Sequence, residues 1–185
     1  GVYLNSTSPF YLYKSETEKT YFIDKVASGA IISIGKTGNS HICITRPRRF
    51  GKTIMANMIG AFFGKGCPAD TIFNRSKIAA NTEYKMHLNQ YNTIFIDFSE
   101  AEDCNSYQQY IHRIRKNLKE DLCIAYTNLN LDPQDAVWDL LRKILSIPEN
   151  VLFLFWMNGI VFSINHLLQT PNKQQLLFLF LKHPD

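Results

Sequence analysis

The chain has 185 residues, 45% of them hydrophobic, 13% aromatic and 19% charged. That is enough for one domain with a real core, and it excludes a disordered or low-complexity chain. The formal charge of +4 is too small to require a nucleic-acid partner, because a solvated basic surface accounts for it equally well.

In chain order, Tyr21-Phe22-Ile23-Asp24-Lys25 reads as a short strand or turn entering a helix, with Asp24 as its cap. Gly35, Gly38 and Asn39 mark a loop. His41-Ile42-Cys43-Ile44-Thr45 is a short β-branched apolar run and reads as a buried strand. Ile54, Met55, Met58, Ile59, Phe62 and Phe63 then recur at helical spacing from Lys52 onward, and Gly64 stops that helix as a C-cap. Residues Cys67 to Asn92 are mixed and polar, which suits loops and short helices.

Thr93 to Phe98 reads as a second strand with an acid, Asp97, near its end. Ser106 caps a long helix on which Tyr107, Tyr110, Ile111, Ile114, Leu118 and Leu122 share a face. Asp132-Pro133 opens a further helix with the stripe Val137, Leu140, Leu141, Ile144 and Leu145. The order is strand, loop, helix, strand, helix, helix. It predicts an α/β fold with a parallel sheet.

Arg46-Pro47-Arg48-Arg49-Phe50-Gly51-Lys52-Thr53 lies between the first strand and its helix. In a P-loop, backbone N–H groups curl around phosphate oxygens, a lysine reaches the β- and γ-phosphates, and a Ser/Thr hydroxyl holds Mg²⁺. Gly51-Lys52-Thr53 supplies the end of that pattern, and the helix beginning there points its positive end at an anion. Arg46 stands where the first glycine of GxxxxGK[ST] belongs. Arg46, Arg48, Arg49 and Lys52 repel one another until an anion joins them. A nucleic-acid backbone is the alternative anion. A strand–turn–helix with a basic loop and no ligand is the plainer reading.

The stretches YFIDK (Tyr21 to Lys25), ITRPRRFGKT (Ile44 to Thr53) and TIFIDFS (Thr93 to Ser99) resemble the bacterial AAA-ATPase-like family over about residues 10 to 147. RPRRFGKT is the most specific block. Arg46 departs from the wider group reading GPRRxGKT but agrees with the narrower form. The resemblance implies an α/β, P-loop NTPase-like parallel sheet flanked by helices and incomplete at its C-terminal side, in a P-loop ATPase-like domain that uses ATP and Mg²⁺. Lys52 then contacts the terminal phosphates and Thr53 ligates the metal. In the full-length protein a PD-(D/E)XK nuclease-like domain often follows.

Hydrolysis also needs a carboxylate at a neighbouring strand end. Asp97 is the candidate, set against a role in capping a loop or binding a backbone amide. Glu100, Glu102 and Asp103 read as a solvated turn. In the resembled family the acidic pair comes on a later strand, here expected near residue 151. That stretch, Val151 to Ile160, is apolar, and no Asp or Glu occurs between Glu149 and Asp185.

Trp156 and Met157 have single codons, TGG and ATG. Regrouped one base back, Phe155–Trp156 must give Leu, Trp156–Met157 gives Asp, and Met157–Asn158 gives Glu. Asn158–Gly159 then gives Trp or Arg, and Gly159–Ile160 can give Asp. Residues 151–185 therefore read as an apolar tail that is a frame-shifted translation, natural or from assembly, attached to a P-loop ATPase-like part over 1–150. The alternative is a genuine apolar hairpin or helix. Leu176 to Leu181, all apolar, lacks an amphipathic period and an evident partner, and would favour aggregation if exposed.

The reading is thus a chain that binds Mg-ATP, with hydrolysis left open by the missing second acid. Its alternatives are a non-enzymatic anion- or nucleic-acid-binding module, or a truncated, non-functional fragment. Cys43, Cys67, Cys104 and Cys123 form no CxxC pair and no zinc-spaced cluster, which suits reduced thiols in the cytoplasm. Residues 1–10 lack a leader pattern, and the run from Val151 to Phe162 is too short to span a bilayer. His41, His87, His112, His166 and His183 are scattered and none is assigned to catalysis. Tyr107, Tyr110 and Trp138 lie on helical stripes and read as core.

Overall fold

The computed structural model describes residues 1–22, 41–43, 51–98, 104, 106–147, 150–157 and 176–181, of which 41–43, 156–157 and 176–181 are described as backbone only. The Asp24 helix, the Gly35–Asn39 loop, Arg46 to Phe50, and Glu100, Glu102 and Asp103 lie outside these residues.

Among the described residues four parallel strands make one sheet: β1 (His41–Cys43), β2 (Asn92–Asp97), β3 (Leu152–Met157) and β4 (Leu176–Leu181), in the order β1-β4-β3-β2. The helices are α1 (Ser8–Thr17), α2 (Lys52–Phe63), α3 (Asp70–Phe73), α4 (Tyr84–His87), α5 (Tyr107–Ala125) and α6 (Val137–Leu145). The α/β class and the parallel sheet are as expected. Leu176–Leu181 has partners after all. It is an inner parallel strand, paired with β1 and β3, and is neither a helix nor a hairpin arm.

Strand alternation sorts the core into two faces. Phe95, Phe153 and Phe155 point to one side, with α1 and α2. Ile94, Ile96, Leu152 and Leu154 point to the other, with α5 and α6. α2 is buried without interruption from Ala56 to Phe63, because it lies between the sheet and α1. A Cβ on Gly60 would sit 3.1 Å from both the Phe95 ring and Pro9 Cβ, so glycine sets how closely α1, α2 and β2 approach.

Gly64 does end α2, but in an extended conformation (φ −67°, ψ 124°) rather than as a left-handed cap. Its backbone forms a bridge to Tyr91, and a left-handed turn there would forfeit that pairing. The carbonyls left over at the helix end are taken by Asn89 instead. Its Nδ2 donates to Ala61 O at 2.9 Å and Gly64 O at 2.7 Å, while its N–H donates to Phe62 O at 2.7 Å. Asn89 adopts φ 54°, a left-handed conformation that asparagine tolerates.

On the other face Ser106 caps α5 as expected, accepting from Gln109 N at 3.2 Å. Tyr110, Ile111, Ile114, Leu118 and Leu122 are buried, but Tyr107 is 48% exposed and leaves the stripe. It lies in the first turn, beyond the reach of the sheet. α6 begins at Val137 and not at Pro133. The Asp132 carboxylate accepts from Gln134 N at 2.8 Å and its carbonyl from Asp135 N at 3.0 Å, so Asp132–Asp135 closes on itself as a turn.

Residues 3–5 cover the outer edge of β2. Leu4 bridges Ile94 in the antiparallel sense, and Phe95 N donates to Tyr3 O at 3.0 Å. The Asp121 carboxylate of α5 accepts the N–H groups of Val2, Tyr3 and Leu4. Among the described residues no helix is long and apolar enough to cross a membrane.

Candidate functional site

The site is organised by the start of α2. Gly51 is its N-cap, at φ 75° and ψ 28°, a conformation that favours glycine. No side chain caps the helix and no acid lies in its first turn. The first N–H groups of α2 are therefore not answered by a cap, and the helix dipole makes that end attractive to an anion.

The direction of α2 follows from its contacts. Gly64, at its end, bridges Tyr91 at the start of β2, and Gly60 packs on Phe95. The helix thus runs back along β2 toward Asp97. Eight residues from Gly60 to Lys52 rise about 12 Å, whereas Phe95 to Asp97 advances about 7 Å. The N-terminus of α2 overhangs the carboxyl edge of the strands, where open parallel sheets bind their ligands.

Lys52 is the first residue of α2. Its Nζ is buried and meets no hydrogen-bond partner among the described residues. A buried ammonium without an acceptor is costly, and an anion at the helix start is the group it lacks. Thr53 is exposed beside it, so its hydroxyl is accessible.

Asp97 ends β2, in register with Met157 of β3. Its carbonyl accepts from Tyr110 Oη at 2.7 Å, which pins the strand end to α5. Lys52, Thr53 and Asp97 are therefore brought to one edge of the sheet. Of the other residues singled out, Gly51 joins them, and Arg46, Pro47, Arg48, Arg49 and Phe50 fall outside the described residues. No group of three His, Cys, Asp or Glu able to hold a metal occurs among the described residues. Tyr110, with its hold on Asp97, was assigned only to the core by its helical spacing; no local signal marks its second role.

Residues 12–154 match the AAA-ATPase-like family, described as a predicted AAA-ATPase. Neither a curated protein nor a solved structure matches the chain. The match takes in Arg46 to Thr53, α2, β2 and both helices of the opposite face, and so covers well over half of the chain. The chain belongs to the AAA-ATPase-like family.

Proposed function

We propose that this chain binds a nucleoside triphosphate, ATP by family, through a P-loop at Arg46 to Thr53, on a P-loop NTPase-like sheet. The observation that carries the reading is the buried Lys52 ammonium, without a hydrogen-bond partner among the described residues, at a helix start that no side chain caps. A polyphosphate fits both features, since it accepts from the lysine and from the first helical amides. Thr53 has the hydroxyl to hold Mg²⁺, which would neutralise phosphate charge. Arg46, Arg48 and Arg49 add positive charge to the preceding loop.

Asp97 is the chain's own candidate for orienting the attacking water, and a single strand-end acid makes turnover weak here. The protein is cytoplasmic in this reading, and a nuclease-like domain in the full-length protein is the partner that would read the nucleotide state.

Calorimetric titration of Mg-ATP into the chain and into Lys52→Ala tests this. Losing a hydrogen bond to a charged group costs about 1.5–3 kcal/mol, so affinity should fall tenfold to a hundredfold. The ligand-free variant should lose no thermal stability, because the ammonium it removes has no hydrogen-bond partner among the described residues. Unchanged Mg-ATP binding in Lys52→Ala overturns the assignment. Binding of a polynucleotide that weakens steeply with salt and ignores ATP would point instead to an anion-binding module.

A further inference from the structure

The last residues of the four strands are Cys43, Asp97, Met157 and Leu181, so Asp97 is the one acid among them. β3 lies beside β2, with Met157 in register with Asp97. The strand end next to Asp97, on the edge that α2 overhangs, thus carries a thioether. Phosphoryl transfer from a P-loop uses a strand-end carboxylate for the metal and a second polar group for the water. Two independent observations mark the same spot. The family match stops at Leu154, and all but one of the 16 acidic residues precede Asn150.

The codons there are nearly fixed. Trp156 and Met157 are TGG and ATG, and Asn158 begins AA. The bases GAT and GAA, for Asp and Glu, are therefore present one base out of frame. The Phe155–Trp156 junction gives Leu whichever Phe codon is used. The Leu154–Phe155 junction gives Phe, Leu, Ile or Val. Both frames write apolar residues at positions 155 and 156, and they diverge in chemistry from position 157, where β3 reaches the carboxyl edge.

We infer that the gene encodes, one base out of the frame of this chain, a Leu-Asp-Glu end to β3, and that these two acids complete the nucleotide site begun by Lys52 and Thr53. This rests on the P-loop reading. In the completed site one carboxylate holds Mg²⁺ and the other takes the proton of the attacking water. The water oxygen bonds to the γ-phosphorus, the bond to the bridging oxygen breaks, and ADP and phosphate leave. The proton then passes to solvent.

The test has two arms. The coding DNA is sequenced through and beyond the codon of Asp185, and a version with one base inserted between the codons of Leu154 and Phe155 is expressed beside the original. The shifted frame should stay open, and the restored chain should hydrolyse Mg-ATP about 100-fold faster or more. Changing its two new acid codons to Asn and Gln should remove that gain and leave Mg-ATP bound. A stop in the shifted frame before the end of the Asp185 codon overturns the inference, as does a restored chain that binds Mg-ATP without turning it over faster. The DNA result decides even if the restored chain fails to fold. Loss of Mg-ATP binding in both chains, or binding that survives Lys52→Ala, brings down the P-loop reading itself.

Discussion

The face of the sheet that carries α2 is built from rings. Phe63 stacks on Phe153 at 4.8 Å between centroids, Tyr13 on Phe73 at 5.5 Å, and Phe62 meets both Phe63 and Phe73 edge-on. The opposite face is built mainly from aliphatic side chains, with Ile94, Ile96, Leu152 and Leu154 against Ile114, Leu118, Leu122, Leu140 and Leu141. Rings have fixed shapes and offset or edge-on preferences, so the α2 face has few alternative packings. That rigidity sits under the helix whose first turn carries Lys52. The aliphatic face holds the other participant by different means, which include a hydrogen bond from Tyr110 Oη to the Asp97 carbonyl.

The sharpest way to break this contrast is to remove one ring. Phe62 is fully buried and touches Phe63, Phe73 and Tyr84. Phe62→Ala should cost about 3–5 kcal/mol, whereas Ile114→Val on the aliphatic face should cost about 0.5–1.5 kcal/mol. Urea melts of both variants measure this. Equal losses would mean that the two faces carry the fold alike.

A smaller effect separates ring packing from backbone capping on the same face. Asn89 closes the end of α2 through side-chain bonds to Ala61 O and Gly64 O, a longer one to Phe62 O, and a backbone bond to Phe62 O. Asn89→Ala leaves two buried carbonyls short of a donor and should cost about 2 kcal/mol. Hydrogen exchange should localise the change to the last turn of α2, with the Lys52 end protected as before. If protection is lost along the whole helix, the cap and not the aromatic packing holds α2 in place.

The two faces also differed in how far they could be read from sequence. α5 and α6 have water on one side, so Ile111, Ile114, Leu118 and Val137, Leu140, Ile144 recur at helical spacing and declare their elements. The end of α2 was legible from Gly64, but its closure by Asn89 comes from 25 residues further on and leaves no local pattern. α1 was missed because Tyr11 and Leu12 are exposed while Phe10 and Tyr13 are buried, which blurs its period. At the site, Gly51-Lys52-Thr53 was visible as a motif. The isolation of the Lys52 ammonium was not, since it depends on what fails to reach Nζ in three dimensions. The overhang of α2 beyond Asp97 follows from the Gly60 and Gly64 contacts, which spacing alone does not reveal.

The smallest expected effect is a difference in alkali. Burial raises Tyr91 above the ordinary phenol range, and on the other face burial raises Tyr126, partly opposed by the Asn92 side chain that donates to it at 2.6 Å. Burial also raises Tyr84, with the Asp70 carboxylate adding to it. A raised phenol releases its proton less readily folded than unfolded. Its contribution is therefore intact below the unfolded value near pH 10 and is lost as pH rises through the folded one. Denaturation midpoints should be flat from neutrality to about pH 9 and decline above about pH 10. The α2 face holds two such phenols, and Tyr91 lies 2.6 Å from His87 Nδ1. Tyr91→Phe and Tyr126→Phe should each flatten the decline, because each removes a phenol that burial raises. A decline unchanged in either variant would show that its face does not hold the phenol back from ionising.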